Sequence, residues 1–264
     1  MIISEKKLRN IIRNVLAEGI YDQGILKAVF MAGGPGSGKS FTAKSLFGGD
    51  PKSVQSASTA SGLKIVNSDP AFEKFLADAG IDPADLGTMS DEEFAAVTQG
   101  PDSPRGRAKT IKKRSMATWT GEDKKLGVII DGTGDDFDKI RTKKVALEAA
   151  GYDTYMVFVN TTLDVAQERN ASRDRKLPPD LVEEIWTDVQ QNLGAFQRLF
   201  GATNIQIVDN TVYGPIDDEI KSAVDTFVTA PIQNRIGRQW IEDELGSRGG
   251  GTKKERGRLL GQGR

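Results

Sequence analysis

From Ile25 to Asp209 the chain alternates between two kinds of segment. Short, nearly unbroken apolar runs occur at Ile25–Ala32, Leu63–Asn67, Leu126–Asp131, Tyr152–Asn160 and Ile205–Asp209. A strand with one wet face would alternate apolar and polar residues. These runs do not, so they predict parallel strands covered on both faces. Between them the polar positions return at helical spacing. Helices are predicted over Lys39–Phe47, from Ser68 (as cap) to Gly80, and over Arg105–Thr120, Phe137–Ala150, Leu163–Arg173 and Asp180–Phe200, with Ile216–Val228 closing the series. Strand followed by helix, repeated, is the pattern of an α/β fold. It implies a parallel sheet of about five strands with helices on both faces.

The periodicity changes outside this core. Ile2–Glu18 reads as an amphipathic helix capped by Ser4 and ended by Gly19. Leu8, Ile11, Ile12, Val15 and Leu16 form one stripe, and Lys6, Lys7, Arg9 and Arg13 lie opposite. That stripe must be covered, either by its own domain or by a protein partner. Gly48–Gly62 is rich in small residues and reads as a mobile loop. Ile81–Pro104 is acidic, broken by Pro and Gly, and reads as an insertion. Pro231–Leu245 predicts a short helix. Gly246–Arg264 carries six basic residues against one acidic, has no apolar period, and is expected to be disordered and able to hold anionic partners weakly. The expected division is 1–19, a core at 20–228, and a C-terminal helix with a flexible basic tail at 229–264.

Composition narrows the chemistry. With no cysteine and no histidine, thiolate and imidazole metal sites are excluded. A general base must then be a carboxylate, a lysine or a tyrosine. Mg²⁺, which takes oxygen ligands, remains open. The net charge of −1 gives no global pull toward nucleic acid or membrane. No membrane span or signal peptide is read, and a cytoplasmic location is expected.

Gly33–Ser40, GGPGSGKS, satisfies the pattern G-x-x-x-x-G-K-[ST] between a predicted strand and a predicted helix. Gly33, Gly34, Gly36, Ser37 and Gly38 supply a backbone able to curl round phosphates, and the helix start adds its positive dipole end. Lys39 is placed for the β- and γ-phosphates of ATP, Ser40 for Mg²⁺, and Phe41 completes the nucleotide-contacting set. Asp69 follows the second strand, where it can be the base for an acceptor hydroxyl or merely the favoured acidic start of a helix. Asp131 ends the third strand and suits a Mg²⁺ shell. The DGTG turn brings Thr133 to the same crevice. Arg169 and Arg173 share one helix face, and Arg175 and Lys176 follow. A lid over 169–179 is one reading of this segment, a solvated helix end the other.

The order GGPGSGKS, VNSDPAFEKF, GVIIDGTG, ERNASRDRKLPPDLV resembles two related groups: the zeta-toxin family, kinases of a nucleotide-sugar hydroxyl, and the phage-type polynucleotide kinase domain, which acts on 5′-hydroxyl ends. The resemblance implies a P-loop NTPase fold of phage origin, with ATP and Mg²⁺ held by Lys39 and Ser40. It also implies Asp69 as base, Arg169 and Arg173 as lid arginines, and Asp131 and Thr133 near the acceptor. In two places the chain departs from these groups. The polynucleotide kinases have an arginine three residues after the base, where this chain has Phe72. The zeta toxins have an arginine soon after Gly-Thr, where this chain has Asp135 and Asp136. A nucleotide-binding assembly protein without turnover, and a phosphotransferase for small alcohols, are the alternatives.

Overall fold

The computed structural model describes residues 20–48, 59, 61–248 and 251–261. Five strands, β1 (Lys27–Ala32), β2 (Lys64–Val66), β3 (Val128–Asp131), β4 (Asp153–Asn160) and β5 (Ile205–Asp209), form one sheet in the order β2-β3-β1-β4-β5. Every pairing is parallel, with Val29 opposite Ile129 on one side and Tyr155 on the other. The helices are α1 (Lys39–Phe47), α2 (Asp69–Asp78), α3 (Asp91–Thr98), α4 (Pro104–Thr120), α5 (Phe137–Ala149), α6 (Leu163–Ala171), α7 (Pro179–Phe200), α8 (Asp218–Thr229), α9 (Arg235–Ser247) and α10 (Lys253–Leu260).

The apolar strands are apolar because both faces are covered. Ala28, Phe30 and Ala32 of β1 join Val128, Ile130, Met156 and Phe158 in a core with Val189, Phe196 and Phe200 of α7. Val29 and Met31 point the other way, into a core with Ala43 and Phe47 of α1 and Val224 and Val228 of α8. Side chains two apart thus feed two cores from a single uninterrupted run. No helix among the described residues is long and apolar enough to cross a membrane.

The acidic stretch Ile81–Pro104 is ordered. A 3₁₀ turn at Pro83–Gly87 and the capping box Ser90–Glu93 at α3 shape it, and Leu86 and Val97 pack on Phe72 and Leu76 of α2 and Ala108 of α4. The resulting small third core places α4 beside β2 and β3.

Two expectations need correction. The tail is not disordered over 251–261. Thr252 and Glu255 form a capping box that opens α10, and Leu259 and Leu260 are buried in the main core. Arg258 donates to the carbonyls of Ile20, Tyr21 and Asp22, and Ile232 N–H donates to the Leu259 carbonyl. Two adjacent leucines give no period, so only the tertiary surface reveals their role. Ser68 precedes α2, but its hydroxyl takes no N–H. Instead the Asn67 side chain accepts from Asp69 N–H at 2.9 Å. The helix expected at Ile2–Glu18 and most of the loop expected at Gly48–Gly62 lie outside the described residues.

Candidate active site

In an open parallel sheet the crevice lies beyond the carboxyl ends of the strands, deepest where neighbouring connections diverge. Here the chain leaves β1 by the loop Gly33–Gly38, which runs into α1. Gly36 and Gly38 have φ of 75° and 87°, a region that side chains rarely adopt. A Cβ on Gly38 would stand 2.0 Å from Asn210 Nδ2, and one on Gly36 2.3 Å from the Ala166 carbonyl oxygen. These residues are therefore glycine for both shape and space. No side chain caps α1, and its first turn holds no acidic residue, so its N–H groups stay available to an anion. The buried Ser37 Oγ and Thr42 Oγ1 have no hydrogen-bond partner. Lys39 Nζ folds back onto the carbonyls of Gly33 and Gly34. Burial lowers its pKa, with Asp131 and Asp69 acting in the opposite direction. This loop fits a polyphosphate: it offers curled backbone donors, an unshielded helix start and a lysine whose own ligands are only loop carbonyls.

Neighbouring elements hold the loop rigidly. Asn210, just past β5, donates to the Ser37 carbonyl at 2.7 Å. Arg169, near the end of α6, donates to the carbonyls of Asn210 (2.8 Å), Thr211 (3.3 Å) and Gly36 (3.4 Å). Its guanidinium lies 4.7 Å from the centroid of the exposed Tyr213 ring, which meets Phe41 edge-on at 5.5 Å. Arg169 thus braces the P-loop beneath the exposed Tyr213 ring, with the half-buried Phe41 ring set edge-on to it. Sequence reading picked out Arg169 and Phe41 but missed Asn210 and Tyr213. Their only signal was position, in the turn after the last strand.

Asp69 starts α2 at the end of β2, as expected, and its carboxylate is already engaged. Arg105 of α4 lies 2.9 Å from one oxygen, and Arg175, between α6 and α7, lies 3.2 Å from the other. Burial opposes the charged carboxylate, but Arg175 and Arg105 together outweigh it and hold Asp69 well below the usual carboxylate range. Both arginines also flank the Phe72 ring, at 5.0 and 5.6 Å. Arg173 bears on Lys39 through its charge, while burial and Arg175 lower its own pKa.

Asp131 ends β3. Burial raises its pKa, opposed first by Lys39. Its backbone carbonyl accepts from Lys112 of α4. Thr133 donates its hydroxyl to Asp135, its carbonyl accepts from Gly33 N–H at 2.7 Å, and Asn192 of α7 holds the turn by the carbonyls of Gly134 and Asp135. The structure therefore brings Lys39, Asp69 and Asp131 within electrostatic reach of one another, with Thr133 beside the loop. Among the described residues no three carboxylates gather into a metal cage. Asp131 and the Ser40 hydroxyl are oxygen donors of the kind Mg²⁺ takes alongside phosphate oxygens.

Lys112 was not singled out by sequence. Burial and the charges of Lys143 and Arg105 bring it down to about 8, with Asp131 and Asp69 opposing. Only folding shows that this one lysine of a basic helix faces the crevice.

The sequence matches no protein-family model and no curated protein. Solved structures do resemble the fold. A chain from the AvrRxo1-ORF1:AvrRxo1-ORF2 complex with sulphate ions aligns at TM-score 0.48 and 11% identity, over 76% of this chain and 62% of that one. A chain from the PezAT chromosomal toxin–antitoxin system of Streptococcus pneumoniae aligns at 0.47 and 12%, over 94% and 96%. Shikimate kinase from Acinetobacter baumannii, in complex with shikimate, aligns at 0.37 and 13%, over 78% and 94%. This chain thus spans under two thirds of the AvrRxo1-ORF1 complex chain. With every one of these TM-scores below 0.5, the reading of the site rests on this chain's own geometry.

Proposed function

We propose that the protein is an ATP-dependent phosphotransferase that moves the γ-phosphate of ATP to an alcohol hydroxyl, on a nucleotide sugar, a nucleotide or a polynucleotide 5′ end. The observation that carries this reading is the charge constellation at the carboxyl end of the sheet. A glycine cradle with Lys39 at its helix start faces two strand-end carboxylates, Asp69 and Asp131, with arginines on the far side. Asp131 would serve any Mg²⁺–nucleotide binder, so it is Asp69 with its two arginines that favours transfer over binding alone.

In this reading the loop amides and Lys39 bind the phosphates, while Tyr213 and Phe41 offer a face for the base. Asp69 takes the proton of the acceptor hydroxyl as its oxygen attacks the γ-phosphorus and the bond to the leaving ADP oxygen breaks. Arg173 and Arg175 supply positive charge for the transferring group, from a segment over 169–179 that acts as a lid. Arg169 secures the loop. Mg²⁺, held by Ser40 and Asp131, would neutralise phosphate charge. The N-terminal stripe, which its own domain or a protein partner must cover, offers a place for such a partner, and the cytoplasm is the proposed location.

The test is calorimetry with ATP, followed by transfer of labelled γ-phosphate to separate pools of nucleotide sugars, 5′-hydroxyl oligonucleotides and small alcohols. Lys39→Ala should weaken binding or abolish transfer. A wild-type protein that binds neither ATP nor GTP in Mg²⁺ would end this reading.

A further inference from the structure

A lysine is out of place on the inward face of α4. Ala108, Lys112 and Met116 are four apart and Trp119 follows three later, so the four share one helix face. Ala108 is buried in the small third core, and Met116 and Trp119 pack against the main one. Lys112 stands between them, half-buried, and its ammonium donates to the Asp131 carbonyl. Among the described residues no carboxylate lies within ion-pair reach of it. Burial, Lys143 and Arg105 disfavour its charge, and Asp131 and Asp69 favour it from beyond that reach. A strap onto one uncharged carbonyl needs only an N–H, which glutamine supplies without the cost of burying a charge. The fold therefore accounts for the bond and not for the charge.

Strand order says where that charge lies. On this side the sheet runs β2-β3-β1. The glycine loop and Lys39 follow β1, Asp69 opens the helix after β2, and Lys112 is bonded to the end of β3, between the two. Neighbouring strands are about 4.8 Å apart, so roughly 10 Å separate the ends of β1 and β2. A phosphoryl group passing from a nucleotide on the loop to a hydroxyl beside Asp69 must cross the end of β3.

Resting on the kinase reading above, we infer that Lys112 stabilises the transferring phosphoryl group itself, holding its ammonium at the end of β3, midway between donor and acceptor. In that step the acceptor oxygen bonds to the γ-phosphorus and its proton goes to Asp69. The bond to the bridging oxygen breaks, and its electron pair stays on ADP. The charge of the transferring group spreads over its equatorial oxygens. Lys39 meets them from the β1 side and Lys112 from the β3 side. One of the three N–H donors of Lys112 is spent on the Asp131 carbonyl, which fixes the ammonium before any substrate arrives, and two remain for phosphate oxygens. A donor fixed in advance acts on the charge that develops in the transition state more than on bound nucleotide. Lys112 thus contributes to turnover and little to affinity.

The experiment uses the full chain in Mg²⁺ and compares, by calorimetry, ADP alone with ADP plus aluminium fluoride, a mimic of the transferring group. In wild type, aluminium fluoride should tighten ADP binding by about 10²-fold. Lys112→Gln keeps an N–H donor and drops the charge. Its affinity for ADP should stay within about threefold of wild type, while the gain from aluminium fluoride falls about tenfold or more. Basal ATP hydrolysis should show the same split, with kcat down by about 10²-fold and KM nearly unchanged. Lys112→Arg, which keeps the charge, should recover hydrolysis to within about tenfold of wild type. A gain that survives in Lys112→Gln, or an ADP affinity that falls along with it, overturns this inference and leaves the kinase reading standing. Should Lys112→Gln fail to fold, Lys112→Arg decides: a retained gain supports the inference and a lost one overturns it. A wild type that binds ADP but gains nothing from aluminium fluoride defeats both readings.

Discussion

At the amino end of the sheet Lys27 lies 2.9 Å from Asp153, with side chains only 3% and 12% exposed. At the carboxyl end Arg105 lies at the same distance from Asp69, with side chains 30% and 35% exposed. The two pairs are alike in length and opposite in completeness. Asp153 also accepts the N–H groups of Gln233 and Asn234, and the Lys27 ammonium lies 4.9 Å from the centre of the Phe227 ring. There both charges are met by groups of the protein itself. Asp69 instead shares two arginines with a crevice, and one of them keeps a buried donor unpaired. Among the described residues, the buried side-chain atoms without a hydrogen bond are those of Ser37, Thr42, Thr161 and Arg175. All four belong to segments following the carboxyl ends of strands, or to the α6–α7 connection beside them. A wide cleft of about 1090 Å³ opens at the amino end beside Lys27, Asp153 and Phe227, yet its charged floor is already satisfied. Volume and unmet hydrogen bonds therefore point to opposite ends of the sheet. Unmet hydrogen-bonding capacity separates a site from a structural joint.

The largest effect that would break this comparison is on stability at the amino end. Asp153→Ala leaves Lys27 buried without its carboxylate and should cost roughly 3–5 kcal/mol, measured by urea unfolding, with ATP affinity in the folded fraction unchanged. Burial already lowers the pKa of Lys27, with Asp153 opposing. The folded state therefore holds that proton less tightly than the unfolded state, and the deficit should narrow as pH rises toward the ordinary lysine range near ~10. A loss of activity without a loss of stability would move function to the amino end.

Next is Asp69→Asn, which should cut transfer by roughly 10²-fold, equivalent to about 2.7 kcal/mol of barrier, while ATP binding stays near wild type. Unchanged turnover would reduce the carboxyl-end pair to a joint like the other. The smallest effect concerns the segment that closes the amino end. Leu260→Ala should cost about 2 kcal/mol, the low end for a buried leucine because it lies in the last helical turn. Thermal melting reads this directly, and an unshifted midpoint would return the tail to the flexible state expected from its composition.

The apolar runs, their spacing and the glycine pattern determined the architecture and the glycine loop on which the proposed phosphate site rests. Both depend on local rules: an uninterrupted apolar run needs two covered faces, and a loop of curled amides needs glycine. Lys39, Asp69 and Asp131 were legible because a strand-end position follows from strand order. Other residues around the crevice were not legible. Lys112 looks like any other cation of a basic helix, and Asn210 and Tyr213, beside the glycine loop, look like ordinary turn residues. Leu259 and Leu260 were hidden by the charges around them. Which leucines find the core depends on contacts between segments as far apart as Ile20 and Arg258. No local period encodes such contacts. The tertiary structure alone decided them, because charge and burial act through space rather than along the chain.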